Sequence, residues 1–157
     1  MPTPGNTLIA LSPATSCGLS GLREAVLAQV NTARAAARSC GGQAMAAARP
    51  LAWNDVLFST AARHSVDMAS RNYFSHTSPE GVDMGQRASA EGYAWSSLGE
   101  NIAAGNSTVS GVMALWLASP GHCSNIMNPA FTEVAVACVA RPGTVWGTYW
   151  TMALGRR

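Results

Sequence analysis

Apolar residues recur at helical spacing through the first part of the chain. Continuous apolar runs replace them toward the end. Leu22, Val26, Val30, Ala33 and Ala37 predict a helix capped by Ser20. Glu24 stands in its first turn, where the helix dipole favours an anion, and the helix should end near Cys40, ahead of Gly41-Gly42. Residues 41–52 read as a loop broken by Pro50. Asn54 then caps a second helix reaching about Tyr73, with Leu57, Ala61, His64 and Met68 on its apolar stripe. Residues 75–81 carry turn chemistry, and a short helix at 83–91 stops at Gly92.

Beyond this point the pattern changes. Residues 95–104 are strand-like, although Gly99-Glu100-Asn101 interrupts the pattern. Residues 108–118 predict a helix buried through Val109, Val112, Met113, Trp116 and Leu117. Ser119-Pro120 is a cap and first-turn pair, so a short helix should carry His122 in its first turn and end near Asn128-Pro129. Residues 133–140 are apolar on both faces, as a buried strand is. Residues 145–154, with Trp146, Tyr149 and Trp150, predict a second strand, joined to the first by a hairpin at 141–144. Helices first and antiparallel strands last point to helices packed on a sheet. Residues 1–19 read as a flexible lead-in and 20–157 as a single domain.

Composition narrows the function classes. The chain has 157 residues, 11% charged, and a net charge of +2. All ten basic residues are arginines, scattered along the chain. Nucleic acid is therefore not the expected partner, since phosphate binding needs a dense basic face. No apolar run approaches the ~18 residues of a membrane span. No basic, apolar leader is visible at the start, so an exported protein is expected here in its processed form. Cys17, Cys40, Cys123 and Cys138 form no C-x-x-C pair; an even, widely spaced set fits two disulfides in an oxidising compartment. Three pairings are possible, and the expected one joins sequence neighbours, Cys17–Cys40 and Cys123–Cys138.

The familiar catalytic and nucleotide-binding templates are missing: no H-E-x-x-H, G-x-S-x-G, P-loop or G-x-G-x-x-G occurs. Of three histidines, His64 lies on an apolar helical stripe and reads as a core residue with satisfied nitrogens. His76 and His122 lie among Ser, Gly and Pro, where site residues concentrate. A helix N-terminus beside His122 disfavours its cation and keeps a neutral ring available.

Several of these stretches together resemble the CAP superfamily of cysteine-rich secretory proteins, antigen five and class-one pathogenesis-related proteins. They are Phe74-Ser75-His76, Gly99-Glu100-Asn101-Ile102-Ala103, Trp116 with Ser119-Pro120-Gly121-His122, Asn125-Ile126-Met127 and the closing Tyr149-Trp150. His64-Ser65-Val66-Asp67-Met68-Ala69 is similar to the bacterial branch. The resemblance implies an α+β fold, a three-layer α–β–α sandwich around a small, mainly antiparallel sheet. It implies a secreted, periplasmic or cell-surface monomer with a cleft of two histidines and two acids, which in some members holds a divalent metal. Carried onto this chain, His76 and His122 are the metal-ligand candidates, and Glu100 is the first acid. Ser119 stands where the second acid would be, so zinc should be held weakly. Glu100 and Ser119 would act from behind the metal. The implied function is a non-enzymatic binding module for a lipid, a sterol or a protein. The alternative is a metal-assisted hydrolase of peptide or cell-wall material, with Glu100 as general base. At least half of Trp95, Trp116, Trp146 and Trp150 should be core residues.

Overall fold

A computed structural model describes residues 7–157. Its centre is a four-stranded sheet in the order β3-β5-β6-β4. These strands are β3 (Ala52–Trp53), β4 (Ser97–Ala104), β5 (Glu133–Ala140) and β6 (Thr148–Arg156). The β4–β6 and β5–β6 pairs are antiparallel and the short β3–β5 pair is parallel. A hairpin of β1 (Arg38–Cys40) and β2 (Gln43–Met45) stands apart from this sheet.

Side-chain alternation along β5 and β6 explains the two helical layers. Val134, Val136, Cys138, Trp150, Met152 and Leu154 face one way, into the larger core. There they meet α1 (Leu22–Arg34), α4 (Val109–Ala118) and α5 (Pro120–Met127). Ala135, Ala137 and Ala153 face the other way and let α2 (Asp55–Arg71) approach through Leu57, Phe58, Ala61 and Ala62. Small residues on both surfaces bring helix and sheet close together on that side. The result is the expected three-layer α–β–α sandwich. Helix α3 (Met84–Ala90) extends the α2 layer.

Local signals set most helix starts. The Asn54 side chain accepts from the amides of Val56 and Leu57, and Thr108 accepts from Gly111. Asp83 caps α3 in a reciprocal box with Gln86. Ser119 precedes α5 with Pro120 in the first turn, but its side chain makes no cap hydrogen bond.

Five expectations are corrected. First, the disulfides are Cys17–Cys138 and Cys40–Cys123, not the sequence-neighbour pairs. Cys138 lies toward the end of β5 where the 16–17 segment pairs with it, and Cys123 faces the β1–β2 hairpin from α5. Second, the first helix stops at Arg34, and Cys40 belongs to β1; Gly41 and Gly42, with φ of 59° and 91°, turn the chain there. Third, the segment expected as a flexible lead-in is tied down from residue 7 onward. The amide of Ile9 bonds Ser59 Oγ at 2.8 Å, Ser16 bridges Cys138, and Leu11 packs on both cores. Residues 1–6 of that segment lie outside the described residues. Fourth, β4 runs unbroken through Gly99-Glu100-Asn101. A Cβ on Gly99 would come within 2.7 Å of the Phe131 ring, so glycine here admits a close neighbour. Fifth, the final strand begins at Thr148, leaving Trp146 in the connection before it, 43% exposed.

Arg34 is held by carbonyls alone among the described residues. It is 1% exposed, and its guanidinium donates to the carbonyls of Arg49, Ile126, Asn128 and Phe131. Five fixed donors suit this carbonyl cage as a lysine ammonium would not.

Candidate functional site

His76 sits in the connection between α2 and α3. Asn72 ends α2 in a left-handed conformation, releasing the chain. Three contacts then fix the connection. The buried His64 Nε2 lies 2.7 Å from the carbonyl of Ser75, so it carries the proton and donates. Arg87 Nη1 donates to the carbonyls of His76 and Val82 at 3.0 and 3.2 Å. Arg71 ties Asp67 on α2 to Glu80 beyond the histidine.

Glu100, on β4, accepts from both neighbours. Its Oε1 lies 2.8 Å from His76 Nδ1, and its Oε2 lies 2.6 Å from Arg87 Nη2. Burial alone would raise the Glu100 carboxyl; the His76 hydrogen bond and the Arg87 charge outweigh it and hold the group below its ordinary value. A carboxylate at Nδ1 puts the His76 proton on that nitrogen. The free pair on Nε2 is then turned away from Glu100.

His122 comes from the first turn of α5. Two features hold that turn. The Cys40–Cys123 disulfide ties it to the β1–β2 hairpin, and Pro120 occupies the space that a Cβ on Gly41 would need. Asn101 Nδ2 also donates to the His122 carbonyl at 3.1 Å, while Asn125 bridges to Asn101 and to the Glu100 carbonyl. His122 Nδ1 is buried without a hydrogen-bond partner. Burial, and then the charge of His76, push its pKa below 6.5. The direction is the one its helix position predicts, with burial as the leading cause.

His76 and His122 line one cleft of about 440 Å³, together with Ser119 and the apolar Phe74, Leu115 and Trp146. A second, larger groove of about 880 Å³ runs from His76 and Glu100 to Trp95. His76 is common to both. His64 is core, as expected, although only one of its nitrogens is satisfied; Nδ1 has no partner. Trp116 and Trp150 are fully buried, whereas Trp95 and Trp146 are 43% exposed, at the two grooves.

The donor set decides what a cation would find. Among the described residues, no group of three or more His, Cys, Asp and Glu side chains is arranged around a common point for a metal. Glu100 has both oxygens engaged, one by a permanent cation. The residues present therefore do not fit a three-ligand centre; two imidazoles, His76 and His122, are what the cleft offers a cation. The carboxylate behind His76 would orient that imidazole.

Arg87 was not among the residues singled out from the sequence. The signal was there: in the short helix it falls three positions after Met84 and beside Ala88, on the buried side. An arginine on an apolar stripe needs a buried partner.

The chain is similar to known proteins. The chain is 37% identical over 98 residues to the uncharacterized protein YkwD of Bacillus subtilis (strain 168), a match covering 62% of this chain and 38% of that protein. It is similar to the crystal structure of an extracellular protein containing a SCP domain from Bacillus anthracis, with TM-score 0.62 and 34% identity over 70% of this chain and 35% of that one. An outer surface protein of Borrelia burgdorferi shares the fold, with TM-score 0.62 and 20% identity over 68% of this chain and 77% of that one. The chain thus spans well under half the length of the two Bacillus relatives. The model of the cysteine-rich secretory protein (CAP) family matches residues 27–154, nearly the whole described chain, and the chain belongs to that family.

Proposed function

We propose that the chain is an extracellular binding module whose ligand lies along the grooves that meet at His76, and that it is not a hydrolase. One observation carries this reading. Glu100, the acid available as a general base, is 9% exposed and holds His76 with one oxygen and Arg87 with the other. A general base must reach the proton it removes, directly or through one water. Glu100 is built to position His76 and to balance Arg87.

The location has two supports. Two disulfides call for an oxidising compartment, and the Bacillus anthracis and Borrelia proteins are described as extracellular and outer-surface. Both grooves are open to solvent rather than enclosed. That suits a ligand gripped along its length better than an acyl chain, which a carrier encloses. Zinc, where present, would be held weakly by His76 and His122 and would supply a Lewis acid there.

The test pairs an activity panel with calorimetry. Metal-supplemented protein should release no product from peptide and peptidoglycan substrates. Zinc titration of chelated protein should give a weak isotherm that vanishes in the folded His76→Ala/His122→Ala double variant. Turnover that is lost in a folded Glu100→Gln variant would overturn the reading.

A further inference from the structure

The larger groove has a feature that the paired histidines do not explain. Trp95 lies between α3 and β4 with 43% of its surface exposed, yet its indole is fixed. Nε1 donates to Ser89 Oγ at 3.0 Å, and the six-membered ring lies against Gly85, where a Cβ would come within 3.2 Å of it. An exposed aromatic ring held in a set orientation offers its electron-rich face as a platform.

The groups around that platform are neutral or singly charged and hydrogen-bonding. Ser89 accepts from the indole and keeps its own hydroxyl proton to give. Gln86 accepts from the Asp83 amide through Oε1, leaving its amide NH2. Asp83 uses Oδ1 on the Gln86 amide, leaving its second oxygen as an acceptor, and Thr77 adds a hydroxyl. No arginine is among the described lining residues, and Arg87 is committed to Glu100, so a polyanion has no counter-charge here. Trp95 is the sole Phe, Tyr or Trp among the described lining residues, and one ring is not the cage that a quaternary ammonium selects. A peptide adding as a strand to the β4 edge would need that strand's free carbonyls. Two of its carbonyls, on Glu100 and Ile102, are already taken by Asn125 and Trp116.

We propose that this groove is a carbohydrate subsite, taking a neutral pyranose chain with one sugar ring stacked on Trp95 and its hydroxyls bonded to Ser89, Gln86, Asp83 and Thr77. The polarised C–H face of a pyranose matches the indole face, and its hydroxyls both donate and accept. The inference rests on reading the grooves as a ligand site and names the ligand class for one arm of it.

The test follows the Trp95 indole N–H by 15N–1H NMR, assigned by its loss in Trp95→Phe. The probes are the β-1,4-linked N-acetylglucosamine tetramer, cellotetraose and maltotetraose, with a tetrapeptide and choline as comparators. At least one tetrasaccharide should shift the signal saturably, with a dissociation constant at or below about 1 mM. A folded Trp95→Ala variant should bind it at least about tenfold more weakly, read by calorimetry. Trp95→Ala should keep whatever zinc binding the wild type has, so the two readings fail separately. No saturable shift by any tetrasaccharide at about 10 mM, undiminished binding in Trp95→Ala, or stronger binding of the tetrapeptide or choline would overturn the proposal.

Discussion

Replacing Arg87 by methionine tests the electrostatic frame of the site. The side chains of Arg87 and Glu100 are 9% and 5% exposed and lie 2.6 Å apart. Removing one partner of a buried pair leaves the other charge uncompensated, which costs about 3–5 kcal/mol. Arg87 also donates to the carbonyls of His76 and Val82, contributing about 1 kcal/mol each before water replaces it. His76 still donates to Glu100, which offsets part of the loss. We expect a net cost of about 4 kcal/mol, against a total of about 5–15 kcal/mol for a domain of this kind. Urea denaturation followed by tryptophan fluorescence, with both disulfides intact, should show the midpoint fall by about 2 M. Without Arg87 the Glu100 carboxyl also loses a cause of its lowered pKa, so the cost should shrink in acid as that group takes up a proton. In a double-mutant cycle with Glu100→Leu, the pair should couple by about 2 kcal/mol or more. A cost of about 1 kcal/mol or less, the range of exposed pairs, would refute the reasoning. It would mean that water reaches Glu100, which would then be free to act as a general base.

Two further predictions concern disulfides and pH. The bridges span 121 and 83 residues, so each removal should cost about 4–5 kcal/mol in the chain-entropy model, measured by denaturation of Cys→Ser pairs. Only Cys40→Ser/Cys123→Ser should also weaken zinc binding, because only that bridge seats the turn carrying His122. Burial holds His64 below its ordinary 6.5, with the Arg87 charge acting the same way and Glu100, the Ser75 bond and Asp67 opposing. The unfolded chain therefore takes up a proton at higher pH than the native one. Stability should be full above about pH 6.5 and fall as pH drops through the lowered native value, by up to about 1.4 kcal/mol per pH unit. His64→Gln should flatten that slope in stability curves measured at several pH values. An unchanged slope would show that His64 is not its source.

What the sequence made legible was local. Asn54 and Thr108 announce their helices because a side chain must satisfy the first amides, and the doubly apolar 133–140 run announces a buried strand. Helix α1 was overextended because Ala35, Ala36 and Ala37 are good helix formers, and tertiary contacts decide its end. Strands β1, β2 and β3 are two or three residues long, too short for alternation to register. Gly99 looked like a break because a missing side chain reads as a turn until Phe131 is seen to fill its place. The disulfide pairing depends on which segments meet in space, and no spacing rule carries that. His76, Glu100 and His122 were legible through their motifs. The pairing of Arg87 with Glu100 was not, because the two lie thirteen positions apart on different elements, although the helix pattern does put Arg87 on the buried side.

The position of β6 within the sheet also governs when this protein can exist as a folded object. β6 is the latest of the strands in the sequence, yet it lies between β4 and β5 and joins them. Both bridges and the carbonyl cage of Arg34 likewise need residues from the final part of the chain. A chain emerging N-terminus first from a ribosome or a membrane channel has no complete sheet for its early helices to pack on until β6 arrives. Long-range topology of this sort makes folding late and concerted. Such a domain reaches its closed, disulfide-bonded form only once its last strand is available in a compartment where the thiols can oxidise.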